Sequence, residues 1–102
     1  MGKDIAARLG SAYRHMESVS NAVVYRTSRF EKEPNNDFLW NRVASAEEAY
    51  DGAKRELADA FADVFIGNGM DADAAIDAAA AAADSAAYAL RMAAWEDLGR
   101  TA

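Results

Sequence analysis

The chain has 102 residues, a formal net charge of −6 and no cysteine. This length predicts one domain over residues 1–102, with room for a modest core; the apolar spacing described below predicts that the domain is helical. Without cysteine the chain has no disulfides and no thiol chemistry, which fits a reducing, cytoplasmic compartment. The acidic balance argues against direct binding to nucleic acids, because contacts to phosphates supply most of that affinity. No segment approaches the roughly 18 apolar residues of a membrane span or the pattern of a secretion signal, so we expect no membrane association.

The first predicted element is a helix over residues 3–32. Its apolar residues recur at alternating steps of four and three, which keeps them on one face of a helix. Arg26 interrupts this pattern, and we expect it to pair with a carboxylate of a neighbouring helix. Poor helix formers between Ser18 and Asn21 leave a kink open as an alternative. The repeat consists of Ile5, Leu9, Ala12, Met16, Val19, Val23 and Phe30.

The second predicted helix spans residues 37–66. Pro34 lacks a backbone N–H and separates it from the first helix, and either Asn36 or Asp37 can cap its N-terminus. Its apolar repeat has no interruption. The repeat consists of Leu39, Val43, Ala46, Tyr50, Ala53, Leu57, Ala60 and Val64.

The third predicted helix spans residues 72–98. Either Gly67 or Gly69 can take the left-handed conformation that closes the second helix, and we favour Gly67. We expect Asp71 to cap the third helix. The repeat consists of Ile76, Ala80, Ala83, Ala87, Leu90 and Ala94. Because alanine adds little core volume, larger residues must provide most of this helix's hydrophobic burial. These are Tyr88, Leu90, Met92 and Trp95.

Three helices of about 40 Å, at 1.5 Å per residue, joined by short connections, predict an all-α fold. The simplest arrangement is an antiparallel up-down-up three-helix bundle. The alternative is a long helical hairpin that completes its core as a dimer.

Few residues suggest catalysis or metal binding. His15 is the only histidine, whereas a metal site in a bundle needs several histidines and glutamates from facing helices. We therefore expect His15 to be an ordinary surface or boundary residue.

Two pairs of carboxylates, Asp59/Asp63 and Asp73/Asp77, each lie on one helix face. Such a pair could bind a cation or act as an acid and a base, but a solvated acidic face is the simpler interpretation. The sequence has no nucleophile elbow, phosphate-binding loop or zinc spacing. We therefore predict no enzyme, no cofactor and no metal.

Cations and aromatic residues alternate near the end of the first helix. Such mixtures can bind single-stranded nucleic acid, but basic side chains also complement the dipole at a helix C-terminus, and we favour this second interpretation. The residues are Tyr25, Arg26, Arg29, Phe30 and Lys32.

Aromatic residues beside the main stripes are a better indication of function. They could simply fill the wide core of a three-helix bundle. Alternatively, some remain exposed and anchor a partner protein or a second copy of the chain in a homodimer. The residues are Phe38, Trp40, Phe61 and Phe65 in the second helix, and Tyr88, Met92 and Trp95 in the third.

Acidic residues stud the second and third helices. Rows of carboxylates on a rigid helix can imitate a phosphate backbone and occupy a basic nucleic-acid channel. Small acidic inhibitors of nucleases and of CRISPR effectors use this strategy, and the chain is similar to such anti-CRISPR inhibitors only in size and charge. Solubility is the simpler explanation of the same residues.

We therefore predict a small acidic, non-enzymatic helical protein that binds a protein partner and blocks or regulates it. One candidate partner is a basic nucleic-acid-processing protein, which the chain would inhibit as a nucleic-acid mimic in the manner of anti-CRISPR inhibitors. The alternative is a homo-oligomeric structural or scaffolding bundle. An enzyme ranks third and a nucleic-acid binder fourth. The predicted partner-binding residues are Trp40, Phe61, Trp95, Asp59, Asp63, Asp73 and Asp77.

Overall fold

The computed structural model describes the backbone of residues 2–101 and the side chains of residues 4–100. Three helices follow one another: α1 (Gly2–Lys32), α2 (Asp37–Gly67) and α3 (Ala72–Thr101). Each helix packs against both others, in a rod of 51 × 25 × 19 Å. The predicted all-α three-helix bundle is confirmed, and the predicted helix boundaries agree within three residues. No helix in the described part of the chain is long and apolar enough to cross a membrane.

The helix ends follow the local sequence. The Asn36 side chain accepts a hydrogen bond from the backbone N–H of Leu39 at 3.2 Å and caps α2. The Asp71 side chain likewise accepts a hydrogen bond from the backbone N–H of Ala74, at 3.5 Å, at the start of α3. The expectation for Gly67 is wrong: this residue is the last of α2, and Gly69, with φ of +94°, takes the left-handed conformation. The helix runs further because Asn68 still donates to carbonyl oxygens of its last turn.

The core lies where the stripes of α1 and α2 meet α3. Met16, Val23 and Leu57 are completely buried. α1 is one continuous helix through Ser18–Asn21, where the buried hydroxyl of Ser20 donates to the carbonyl oxygen of Met16 at 2.7 Å. That bond satisfies a polar group that would otherwise be unpaired in the core.

The predicted face of α3 is wrong in its first half. Ala75 and Ala79 are buried, whereas Ile76 is 58% exposed and Ala80 is also exposed. From Ala83 towards the N-terminus the buried positions recur in steps of four. Ile76 is the only large apolar residue in this segment, so it alone determined the predicted face. The alanines around it can be buried on any side of the helix and gave no further indication.

We expect Ala87→Leu to lower the free energy of unfolding by about 2 kcal/mol, because overpacking a close-packed core forces side chains and backbone to shift. Ala87 is fully buried within the core cluster. The exposed Ala89 provides the control, and Ala89→Leu should change stability by less than about 0.5 kcal/mol. Urea unfolding of both variants measures the difference. Equal effects would show that α3 does not approach its neighbours through Ala87.

Candidate protein-binding surface

Two ion pairs set the register between α2 and α3. The guanidinium of Arg91 donates to both carboxylate oxygens of Glu47, at 2.6 and 3.2 Å. Nearer the other end, Lys54 Nζ lies 3.3 Å from Asp84 Oδ1. Because the two helices are antiparallel, the C-terminal part of α3 lies beside the N-terminal part of α2.

The Arg91–Glu47 pair is more than a surface ion pair. It is half-buried, and the Arg91 guanidinium carbon lies 5.0 Å from the centroid of the Tyr50 ring. The hydrogen bonds that Arg91 donates to Glu47 raise the pKa of Arg91 above its ordinary value, although burial acts in the opposite direction. A bidentate pair of this kind fixes both side chains in place, so it is a rigid point between the two helices.

Large apolar side chains flank this pair on both helices. Tyr88 and Trp95 lie three before and four after Arg91, so they share its side of α3, and Met92 lies between them. Tyr88 is 66% exposed and Met92 43% exposed, while Trp95 is half-buried. Trp40 lies seven positions before Glu47, on the same side of α2, and is 53% exposed. We call Trp40, Tyr88, Met92 and Trp95 the aromatic surface.

The exposure of these side chains corrects one prediction from the sequence. Tyr88 and Met92 were expected to supply hydrophobic burial for α3, but both are exposed. At the edge of this surface, the centroids of the Trp40 and Phe30 rings lie 5.3 Å apart. The contact with Phe30 helps to orient the Trp40 ring, which nevertheless remains 53% exposed. The sequence prediction named Trp40 and Trp95 but not Tyr88 and Met92, although the spacing of these two residues to Trp95 places them beside it on α3.

Phe61 lies elsewhere. It is half-buried against the core cluster and stacks on Phe65, with ring centroids 6.0 Å apart and planes inclined by 19°. At 1.5 Å per residue it is about 30 Å along α2 from Trp40. The structure therefore does not bring Phe61 together with Trp40 and Trp95.

The four predicted acidic contacts differ in their surroundings. Asp63 is half-buried and forms an ion pair with Arg8 of α1. Asp59, Asp73 and Asp77 are exposed, and within residues 4–100 none of these three forms an ion pair. They lie near the end of the bundle where α2 connects to α3, so their charges face solvent there, away from the aromatic surface.

Two other sequence predictions concern single cations. His15 is exposed, as expected, with Nδ1 3.0 Å from Glu56 Oε2. The predicted ion pair of Arg26 is wrong, because Arg26 donates instead to the backbone carbonyl oxygen of Arg42 at 3.1 Å.

Over the described residues, no group of three or more histidine or acidic side chains is arranged to hold a metal ion.

Comparison with known proteins identifies no relative: no family model, no curated protein and no solved structure matches this chain. The function is therefore inferred from the exposed side chains and their arrangement.

Proposed function

We propose that this protein is a non-enzymatic binding protein that attaches to a protein partner through the aromatic surface and thereby blocks or regulates it. The observation that carries the proposal is the exposure of Trp40 and Tyr88 on both sides of the fixed Arg91–Glu47 pair. Exposed apolar patches bordered by charge are typical of interaction sites. Tryptophan, tyrosine and arginine are the residues that most often dominate binding energy there.

The charge of the molecule supports a basic partner. The net charge is −6, and Asp59, Asp73 and Asp77 add exposed carboxylates without ion-pair partners among the described side chains. Complementary charge accelerates encounter and excludes partners of the same sign. A protein that processes nucleic acids has such a basic surface, so we propose this class as the target.

We expect the triple variant Asp59→Asn, Asp73→Asn and Asp77→Asn to slow association, about tenfold at low salt, with a protein partner captured from nuclease-treated host lysate. The difference should nearly vanish in high salt, because exposed charges are screened over about 10 Å at 0.1 M ionic strength. Surface plasmon resonance across a salt series measures both rates.

The matched control removes the same charge from α1. Asp4, Glu17 and Glu31 are exposed, and their amide variants should slow association less than the triple variant does. Equal slowing by both sets would mean that only net charge matters and that the acidic end of α2 and α3 has no specific role.

The same exposed aromatic surface also favours a second candidate, a homo-oligomeric structural bundle. A two-fold dimer would bury the surface of one copy against that of the other. Sedimentation equilibrium separates the two candidates, together with capture of partners from nuclease-treated host lysate. A monomer that retains a basic protein in stoichiometric amounts supports the binding protein. A concentration-dependent dimer that retains nothing supports the structural bundle.

A further inference from the structure

A separate groove lies between α1 and α2, on the side of α2 that faces α1. Its volume is about 150 Å³. The groove is formed by the last third of α1 and the first turns of α2. Its lining residues are Tyr25, Arg26, Arg29, Phe38, Leu39 and Arg42.

Three positive charges converge on this groove in a protein whose net charge is negative. None of its lining residues is acidic. Arg26 is held by its bond to the backbone of Arg42, and within residues 4–100 none of the three arginines forms an ion pair. Like charges gathered in this way repel one another, and a bound anion would relieve that repulsion.

The groove also presents planar apolar groups. Phe38 is 67% exposed and Tyr25 is 54% exposed. The guanidinium carbon of Arg42 lies over the Phe38 ring, 5.8 Å from its centroid, so a cation already lies against one face of this exposed ring. Planar rings of a ligand stack on such faces, while guanidinium groups match the oxygens of a phosphate with paired hydrogen bonds.

The helix termini add little to this preference. Asp37 already places a carboxylate in the first turn of α2, and the groove also borders the C-terminal part of α1, where the helix dipole is negative. The aromatic faces and the arginines therefore favour one kind of ligand, in which an anionic group lies next to a planar ring.

We propose that this groove binds a mononucleotide, with its phosphate against Arg29 and Arg42 and its base against Phe38. The groove, at about 150 Å³, is smaller than the roughly 300–1,000 Å³ of pockets that enclose drug-sized ligands, so it would contact the phosphate and one face of the base and leave the rest of the nucleotide in solvent. A nucleic-acid strand is disfavoured because the net charge of −6 repels a polyanion. This site is independent of the aromatic surface and goes beyond the proposed protein binding.

Isothermal titration calorimetry with adenosine 5′-monophosphate tests the proposal. We expect the nucleotide to bind, with adenosine alone and inorganic phosphate alone each at least tenfold weaker. The double variant Arg29→Gln and Arg42→Gln should weaken nucleotide binding at least tenfold, and Phe38→Leu at least fivefold. All three side chains are exposed, so circular dichroism should show folded variants. Arg26 is left in place because it bonds to the backbone.

The matched control removes two charges outside the groove. Arg14 and Arg55 are exposed, and Arg14→Gln with Arg55→Gln should change nucleotide binding less than twofold. The proposal is overturned if the nucleotide does not bind at millimolar concentration, or if the control variant weakens binding as much as the groove variant. A single-stranded oligonucleotide that binds more tightly than the mononucleotide would also overturn it.

Discussion

We expect Leu57→Ala to lower the free energy of unfolding by about 3 kcal/mol, within the range of large-to-small substitutions in well-packed cores. Leu57 is completely buried in the core cluster. Many of its neighbours in that cluster are alanines, including Ala53 and Ala83. Alanine side chains have no rotatable bonds with which to fill the cavity. Because domains are usually stable by about 5–15 kcal/mol, this one change should remove a large part of the total.

Ile76→Ala is the matched comparison, since it also shortens a large aliphatic residue to alanine. Ile76 is 58% exposed, so we expect a change of less than about 0.5 kcal/mol. Urea unfolding of both variants measures the free energies. The apolar repeats of the sequence include both Leu57 and Ile76, so from the sequence alone Ile76→Ala would also be expected to lower the free energy of unfolding. A loss there as large as that at Leu57 would contradict the observed orientation of α3.

The second large effect concerns binding. We expect Trp40→Ala and Tyr88→Ala each to weaken binding of the captured partner by about 2 kcal/mol, roughly 30-fold, as is typical of aromatic anchors at interfaces. Both side chains are mostly exposed. Their removal should therefore change the free energy of unfolding far less than it changes affinity. Calorimetric titration of each variant measures the affinity.

Tyr13→Ala provides the control for that experiment. Tyr13 is 43% exposed on α1, outside the aromatic surface, and its removal should leave affinity within a factor of two. If Tyr13→Ala weakens binding as much as Tyr88→Ala does, the partner does not select the aromatic surface. If neither Trp40→Ala nor Tyr88→Ala has an effect, the proposed surface is wrong.

The sequence predicts most of the fold because several local signals agree. The apolar repeats of α1 and α2 contain large side chains such as Met16 and Leu57, which can be buried on one face only. Asn36 and Asp71 mark helix starts by capping chemistry that requires no tertiary contact. Where these signals coincide, local preference and packing favour the same structure.

The remaining features depend on packing between helices. An alanine-rich segment carries almost no information about its buried face, so the orientation of α3 around Ala75 and Ala79 is set by its neighbours. Tyr88 and Met92 obey the same periodicity whether they fill a core or remain exposed. The arginine groove is hidden from the sequence for another reason: Arg42 joins Arg26 and Arg29 only after α2 folds back against α1.

Oxidative footprinting of the unmodified protein, free and bound to its captured partner, locates the binding surface without any substitution. Hydroxyl radicals modify exposed aromatic and sulfur-containing side chains, so protection reports which of them the partner covers. We expect the partner to protect Trp40, Tyr88 and Met92, and to leave the exposed Tyr13 and Met70 as reactive as in the free chain. Protection of Tyr13 or Met70 with none at the aromatic surface would contradict the proposed binding site.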